Sequence, residues 1–106
     1  MREWTGAEWR REWEQKPGPF AVFVHTPLCG TCKAVRRMLE VAAEILPDFP
    51  LIEANINVMP DVAQSLQIES VPCLLLKRKD GSWTKIYRFP SVTELVERLR
   101  SEREMS

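Results

Sequence analysis

Two rhythms organise the apolar positions of this chain: one recurs every helical turn, the other runs unbroken over short stretches. Trp9 and Trp13 stand four apart behind Thr5-Gly6-Ala7-Glu8, which has the spacing of a capping box, and this predicts a helix over Gly6–Gln15. Lys16-Pro17-Gly18-Pro19 stops it. Phe20-Ala21-Val22-Phe23-Val24 is apolar throughout, with β-branched and aromatic members, as expected of a central strand covered on both faces. From Cys32 onward Val35, Met38, Leu39, Ala42, Ile45 and Leu46 recur at helical spacing, with Lys33, Arg36, Arg37, Glu40 and Glu44 largely opposite, until Pro47 ends the helix. Residues 51–56 read as a second buried strand, and Asn57 and Pro60 mark the entry to a short helix over residues 60–66. Cys73-Leu74-Leu75-Leu76 is a strand that turns at Lys79-Asp80-Gly81-Ser82 into residues 83–88, a β-hairpin. Ser91-Val92-Thr93-Glu94, a second capping box, opens a closing helix with Val92, Leu95, Val96 and Leu99 on its inner face.

This order predicts an α/β fold in which helices flank a central sheet on both faces. Strands joined through a helix should pair in parallel and the hairpin pairs antiparallel, so the sheet is mixed. No repeat, low-complexity segment or linker divides the chain, and 106 residues with 44% hydrophobic content predict a single domain over 1–106 with its own core. Fifteen basic and fifteen acidic residues cancel. The one basic run, Lys77-Arg78-Lys79, reads as a solvated hairpin tip and is too short for a nucleic-acid footprint. No apolar run follows Met1, and none approaches the ~20 residues of a membrane span. The chain is therefore expected to be soluble and cytoplasmic, a monomer with no nucleic-acid or membrane partner.

Three cysteines change the picture. In a cytosolic chain thiols are kept reduced, so a close pair points to redox chemistry or a metal rather than to a structural framework. Cys29-Gly30-Thr31-Cys32 lies where the first long strand meets the second helix. The first turn of a helix brings two such side chains to one side, where they can close a small disulfide ring. Unpaired N–H groups and the positive end of the macrodipole favour a thiolate there, which makes Cys29 the expected nucleophile. The bland alternative, a buried structural pair, gives no reason for two thiols around Gly-Thr. His25 could serve as a base or ligand, but its simplest role is to fill the strand end with one hydrogen bond satisfied. Cys73 begins a core strand as a small hydrophobe, and its place after Pro72 also makes it a candidate third thiol beside the pair. Cys29, Cys32, Cys73 and His25 would supply four ligands for a metal ion or iron–sulfur cluster if the fold assembled them, although no second closely spaced pair is present. Glu53, among Ile52, Ala54 and Ile56, is either a surface charge or an inward carboxylate.

Over residues 20–99 the chain resembles the thioredoxin family. The resemblance rests on three features in order: Cys29-Gly30-Thr31-Cys32 between strand and helix, then Ser70-Val71-Pro72, then the closing hairpin and helix. It implies the thioredoxin fold, a thiol–disulfide oxidoreductase and no bound cofactor. By the resemblance Cys29 attacks a substrate disulfide and Cys32 resolves the mixed disulfide. Pro72 is a cis proline that covers the pair and keeps metal away, and Val71 offers backbone hydrogen bonds to the bound chain. Any first strand would be confined to residues 2–4. The implied partners are disulfide-containing protein substrates, with a thioredoxin-reductase-like flavoprotein or a low-molecular-weight thiol as reductant. Four positions depart from the family pattern. Leu28 replaces the usual Trp before the first cysteine, removing an aromatic from the docking surface. Gly30-Thr31 replaces Gly-Pro, so that Thr31 restores an N–H able to stabilise a nearby thiolate and shift the potential. Phe23 stands where many thioredoxins bury an aspartate, and Glu53, on the neighbouring strand, stands where a partner lysine is common. The resemblance thus suggests Glu53 as the replacement proton acceptor for Cys32. The losses at Leu28 and Phe23 leave a non-catalytic binding module as a further reading, against which the retained cysteine pair stands.

Overall fold

Alternation along the strands decides the architecture, because a strand that is apolar on both sides needs a layer on each. The computed structural model describes residues 1–105. In chain order it comprises β1 (Arg2–Glu3), α1 (Gly6–Gln15), β2 (Phe20–His25), α2 (Gly30–Ile45), β3 (Leu51–Asn55), a 3₁₀ turn (Ile56–Val58), α3 (Pro60–Ser65), β4 (Cys73–Lys77), β5 (Trp83–Ile86) and α4 (Val92–Met105). One sheet of five strands runs β1-β3-β2-β4-β5. β3 pairs in parallel with β1 and β2, whereas β4 pairs antiparallel with β2 and β5. The mixed sheet expected from the sequence is present, with a two-residue first strand at its edge.

Several strand and helix ends differ from the expectation by one or two residues. β2 reaches His25, Ile56 leaves β3 for the 3₁₀ turn, and β5 stops at Ile86 rather than continuing to residue 88. On one face of the sheet Ala21, Phe23, Leu74 and Leu76 pack with Cys32, Val35, Leu39 and Ala42 of α2 and with Leu95, Val96 and Leu99 of α4. On the other, Val22, Val24, Ile52, Ala54, Cys73 and Leu75 pack with Trp9 and Trp13 of α1 and with Val62 of α3. Consecutive residues of β2 thus serve opposite cores.

The tryptophans are anchors, as their spacing predicts. Trp9 stacks on Trp13 at 4.7 Å between ring centroids, and Trp4 and Trp13 each meet Phe20 edge-on. The basic run is not a solvated tip. Lys77 is buried at the end of β4, donates to the Trp13 carbonyl at 2.7 Å and lies over the Trp13 ring. That bond satisfies a carbonyl in the last turn of α1, which α1's own hydrogen bonds leave free. Arg78 donates twice to Glu102 of α4, so Lys79 alone of the three is exposed. Gly18 passes so close to this turn that a Cβ there would meet the Arg78 carbonyl carbon at 2.5 Å. Among the described residues no helix is long and apolar enough to cross a membrane.

Candidate active site

The parallel strands β2 and β3 end level with each other, His25 opposite Asn55, and the antiparallel β4 begins beside them with Cys73 opposite Val24. Three connections therefore meet at one sheet end: residues 26–29, the 3₁₀ turn and residues 70–72. The carboxyl ends of parallel strands are where open α/β sheets place their sites.

Cys29 is the N-cap of α2, in extended conformation, and its sulfur accepts from the Cys32 N–H at 3.1 Å. The thiol thus takes the place of the usual hydroxyl or carboxylate cap and lies among the unpaired N–H groups of the first turn. Cys29 is half-buried and Cys32 buried, both as free thiols. Burial, and then the contact with Cys29, pushes the Cys32 thiol up to about 11, while the Thr26 backbone and the charge of Arg36 pull the other way. The two cysteines are therefore unequal: one is half-buried and caps a helix start, and the other is held protonated inside. Leu28 is 97% exposed directly before the pair, and Gly30 and Thr31 are exposed between its members. Val71 and Pro72 are half-buried and joined by a cis peptide bond. Val58, 64% exposed in the 3₁₀ turn, adds an apolar side chain at this same end that the sequence reading missed.

Beneath α2, Glu3, Glu53 and Phe23 lie side by side across β1, β3 and β2. Glu53 is buried, on the face that carries Phe23 and Cys32. Its carboxylate does not stand free: it accepts from the guanidinium of Arg36, four residues after Cys32 on α2. The same guanidinium lies 3.4 Å from Nε2 of His25, and His25 stacks on Phe23 with centroids 5.4 Å apart. Burial, followed by the Arg36 charge, pushes His25 below the usual histidine range, against Glu53 and Glu3, which favours the neutral imidazole; a guanidinium only donates, so a neutral ring with a bare Nε2 suits this contact. The sequence reading singled out Glu53 and His25 but passed over Arg36, although its position four residues after Cys32 is the signal that puts it on the same helical face.

Cys73 is not beside the pair. It opens β4 on the opposite face of the sheet, fully buried among Val24, Ile52 and Leu75, and burial raises its thiol to about 11. The set Cys29, Cys32, Cys73 and His25 is therefore split by the sheet: Cys73 is the small core hydrophobe of its simpler reading, and the alternatives of a third thiol at the site and a four-ligand centre fall. Among the described residues the one group of donors that converges is Glu3, His25 and Glu53. Arg36 already supplies a cation to two of them.

Comparison with known proteins gives the following. The thioredoxin family model matches residues 1–101. The thioredoxin-like protein YusE of Bacillus subtilis is 39% identical over 83 residues, 78% of each chain. Among solved structures, chloroplastic thioredoxin z superposes with a TM-score of 0.86 at 18% identity, covering 98% of this chain and 95% of that one. Mitochondrial thioredoxin 3 of Saccharomyces cerevisiae, in its oxidised form, superposes with a TM-score of 0.78 at 22% identity, covering 95% and 94%.

Proposed function

The chain belongs to the thioredoxin family, a family of thiol–disulfide oxidoreductases, and from that premise we propose that it reduces disulfides of protein or small-molecule substrates in the cytoplasm through the Cys29/Cys32 dithiol. The observation that carries this reading is the inequality of the two thiols, with Cys29 capping α2 from the surface and Cys32 buried one turn in. Cys29 thiolate attacks one sulfur of the substrate disulfide and expels the other as a thiolate, which takes up a proton. Cys32, once deprotonated, attacks Cys29 Sγ, releases the second substrate thiolate and closes the Cys29–Cys32 disulfide. Two electrons and two protons pass from the pair to the substrate. A thioredoxin-reductase-like flavoprotein or a low-molecular-weight thiol returns them, with no bound cofactor required.

The substrate chain is read at the sheet end. Val71, just before Pro72, offers backbone hydrogen bonds, and the exposed Leu28 and Val58 supply apolar contact in place of an aromatic. Gly30 leaves space over the pair, since a Cβ there would meet nothing within 4 Å. Thr31 keeps an N–H in the first turn of α2. Pro72 covers the pair.

The test is a redox titration of the pair against thiol–disulfide buffers. A potential at or below about −230 mV, in the range of reducing family members, is expected. A potential near −120 mV, that of a strong oxidant on the order of the periplasmic enzymes, would reverse the assigned direction.

A further inference from the structure

The dithiol mechanism needs Cys32 as a thiolate when it attacks, yet this thiol is buried in a core cluster to which β2 contributes Ala21 and Phe23 and no carboxylate. Something must offset the cost of charge there. Arg36 is a cation placed to do this. Arg36 lies four residues after Cys32 on α2, hence one turn along the same face. Its guanidinium does not sample solvent freely, since Nη1 donates to Glu53 on β3 and Nη2 faces His25 Nε2 on β2 at 3.4 Å. Glu3 on β1 closes the arrangement at 4.0 Å from His25 Nε2, and Glu40 on α2 adds a further negative charge near Arg36. A guanidinium is charged at any working pH and its planar fork is oriented by the two acceptors, unlike a lysine ammonium.

We propose that Arg36 is the positioning residue of this site: clamped by Glu53 and His25, it fixes a positive charge one helical turn from Cys32 and favours the thiolate that resolves the mixed disulfide. Glu53 then acts through Arg36 as its anchor, rather than as the proton acceptor suggested by the family pattern. The proton leaves Cys32 before attack and reaches the departing substrate thiolate through solvent, so that no internal base is consumed. The lowering of the Cys32 thiol by Arg36, against burial, agrees in direction with this geometry. This assignment rests on the dithiol reading above.

The two roles for Glu53 differ in sign, which makes the test sharp. Glu53→Gln keeps an oxygen acceptor for Arg36 but removes the negative charge. If Glu53 is an anchor, the unbalanced guanidinium then favours the Cys32 thiolate more; if Glu53 is a base, resolution slows. Two readouts are taken on wild type, Arg36→Gln, Arg36→Lys, Glu53→Gln and the double variant Arg36→Gln/Glu53→Gln. One is the titration of Cys32 followed by its ¹³Cβ chemical shift in the reduced protein. The other is decay of the Cys29 mixed disulfide with a nitrobenzoate thiol, read by release of the coloured thiolate. Arg36→Gln should move the Cys32 titration to higher pH and slow decay at neutral pH about tenfold, the low end for a partly exposed charge. Arg36→Lys should restore most of the rate, and Glu53→Gln should decay at least as fast as wild type. The double variant leaves no buried carboxylate unpaired, so it keeps the test open if Arg36→Gln does not fold, and it too should be slower than wild type. An unmoved Cys32 titration in both Arg36→Gln and the double variant overturns the proposal, as does slow decay in Glu53→Gln with normal decay in Arg36→Gln. Because the titration needs no substrate, its result stands apart from whether the pair reduces disulfides.

Discussion

Three thiols occupy three environments, and burial separates their reactivities. Cys29 caps a helix at the surface, whereas Cys32 and Cys73 are buried on opposite faces of the sheet with thiols raised to about 11. Because the thiolate is the nucleophile, brief treatment of the reduced native protein with iodoacetamide at neutral pH should alkylate Cys29 alone. In denaturant all three should react. Peptide mass spectrometry reads both results, and early modification of Cys73 in the native state would contradict its placement. His25 is the second residue whose surroundings make a measurable difference. Its folded-state value lies below the ordinary 6.5, so between those two values the unfolded chain binds the extra proton and stability falls as pH falls. Melting temperature should therefore drop as pH is lowered through the ordinary histidine value of 6.5 toward the lower folded-state value, and His25→Phe, which keeps the stack on Phe23, should lose most of that drop. The carboxylates that are also lowered, Glu8 and Asp80, titrate below this window.

Elements hold their places here through contacts at their ends. α1 begins with a full capping box, in which the Thr5 hydroxyl accepts from the Glu8 N–H and the Glu8 carboxylate accepts from the Thr5 N–H, and it finishes against the Lys77 ammonium. The hairpin turn between β4 and β5 is set by Asp80, which accepts from the Ser82 N–H and hydroxyl, and by Gly81 at φ +90. Gly18 connects these two regions, running against the backbone of Arg78 and Lys79 with no room for a methyl group. Since the obstructing atoms are backbone rather than a flexible side chain, Gly18→Ala should cost about 1–3 kcal/mol, the usual range for overpacking. Chemical denaturation of the variant checks this, and an unchanged midpoint would show that the turn yields freely.

At the scale of the molecule, the parts written by periodicity were legible and the parts made by long-range contact were not. The Trp9/Trp13 pair, the unbroken strand 20–24, the helical spacing from Val35 to Leu46 and the hairpin each contain their own signal within a few residues, and each appears in the fold. The cysteine pair and Val71-Pro72 were readable because their spacing and flanking elements are local too. Which face Cys73 joins depends on the pairing of β4 with β2, a register that no short window encodes, so the sequence left open both a core residue and a third thiol beside the pair. Lys77 looked solvated for the same reason: the carbonyl it reaches is 64 residues away. Glu53 was singled out from its strand, but its partner Arg36 was hidden among five charged positions on the polar side of α2.

Attack by Cys29 and resolution by Cys32 can be read from the intermediate itself, by trapping it. Cys29→Ser and Cys32→Ser proteins are each incubated with a disulfide-bonded protein substrate, and the products are resolved on a non-reducing gel and mapped by mass spectrometry. Cys32→Ser should accumulate a mixed disulfide through Cys29, because attack proceeds and release does not, while Cys29→Ser should neither form an adduct nor reduce the substrate. Normal turnover by Cys32→Ser, or an adduct mapped to Cys32 or Cys73, would overturn the assigned roles of the two thiols.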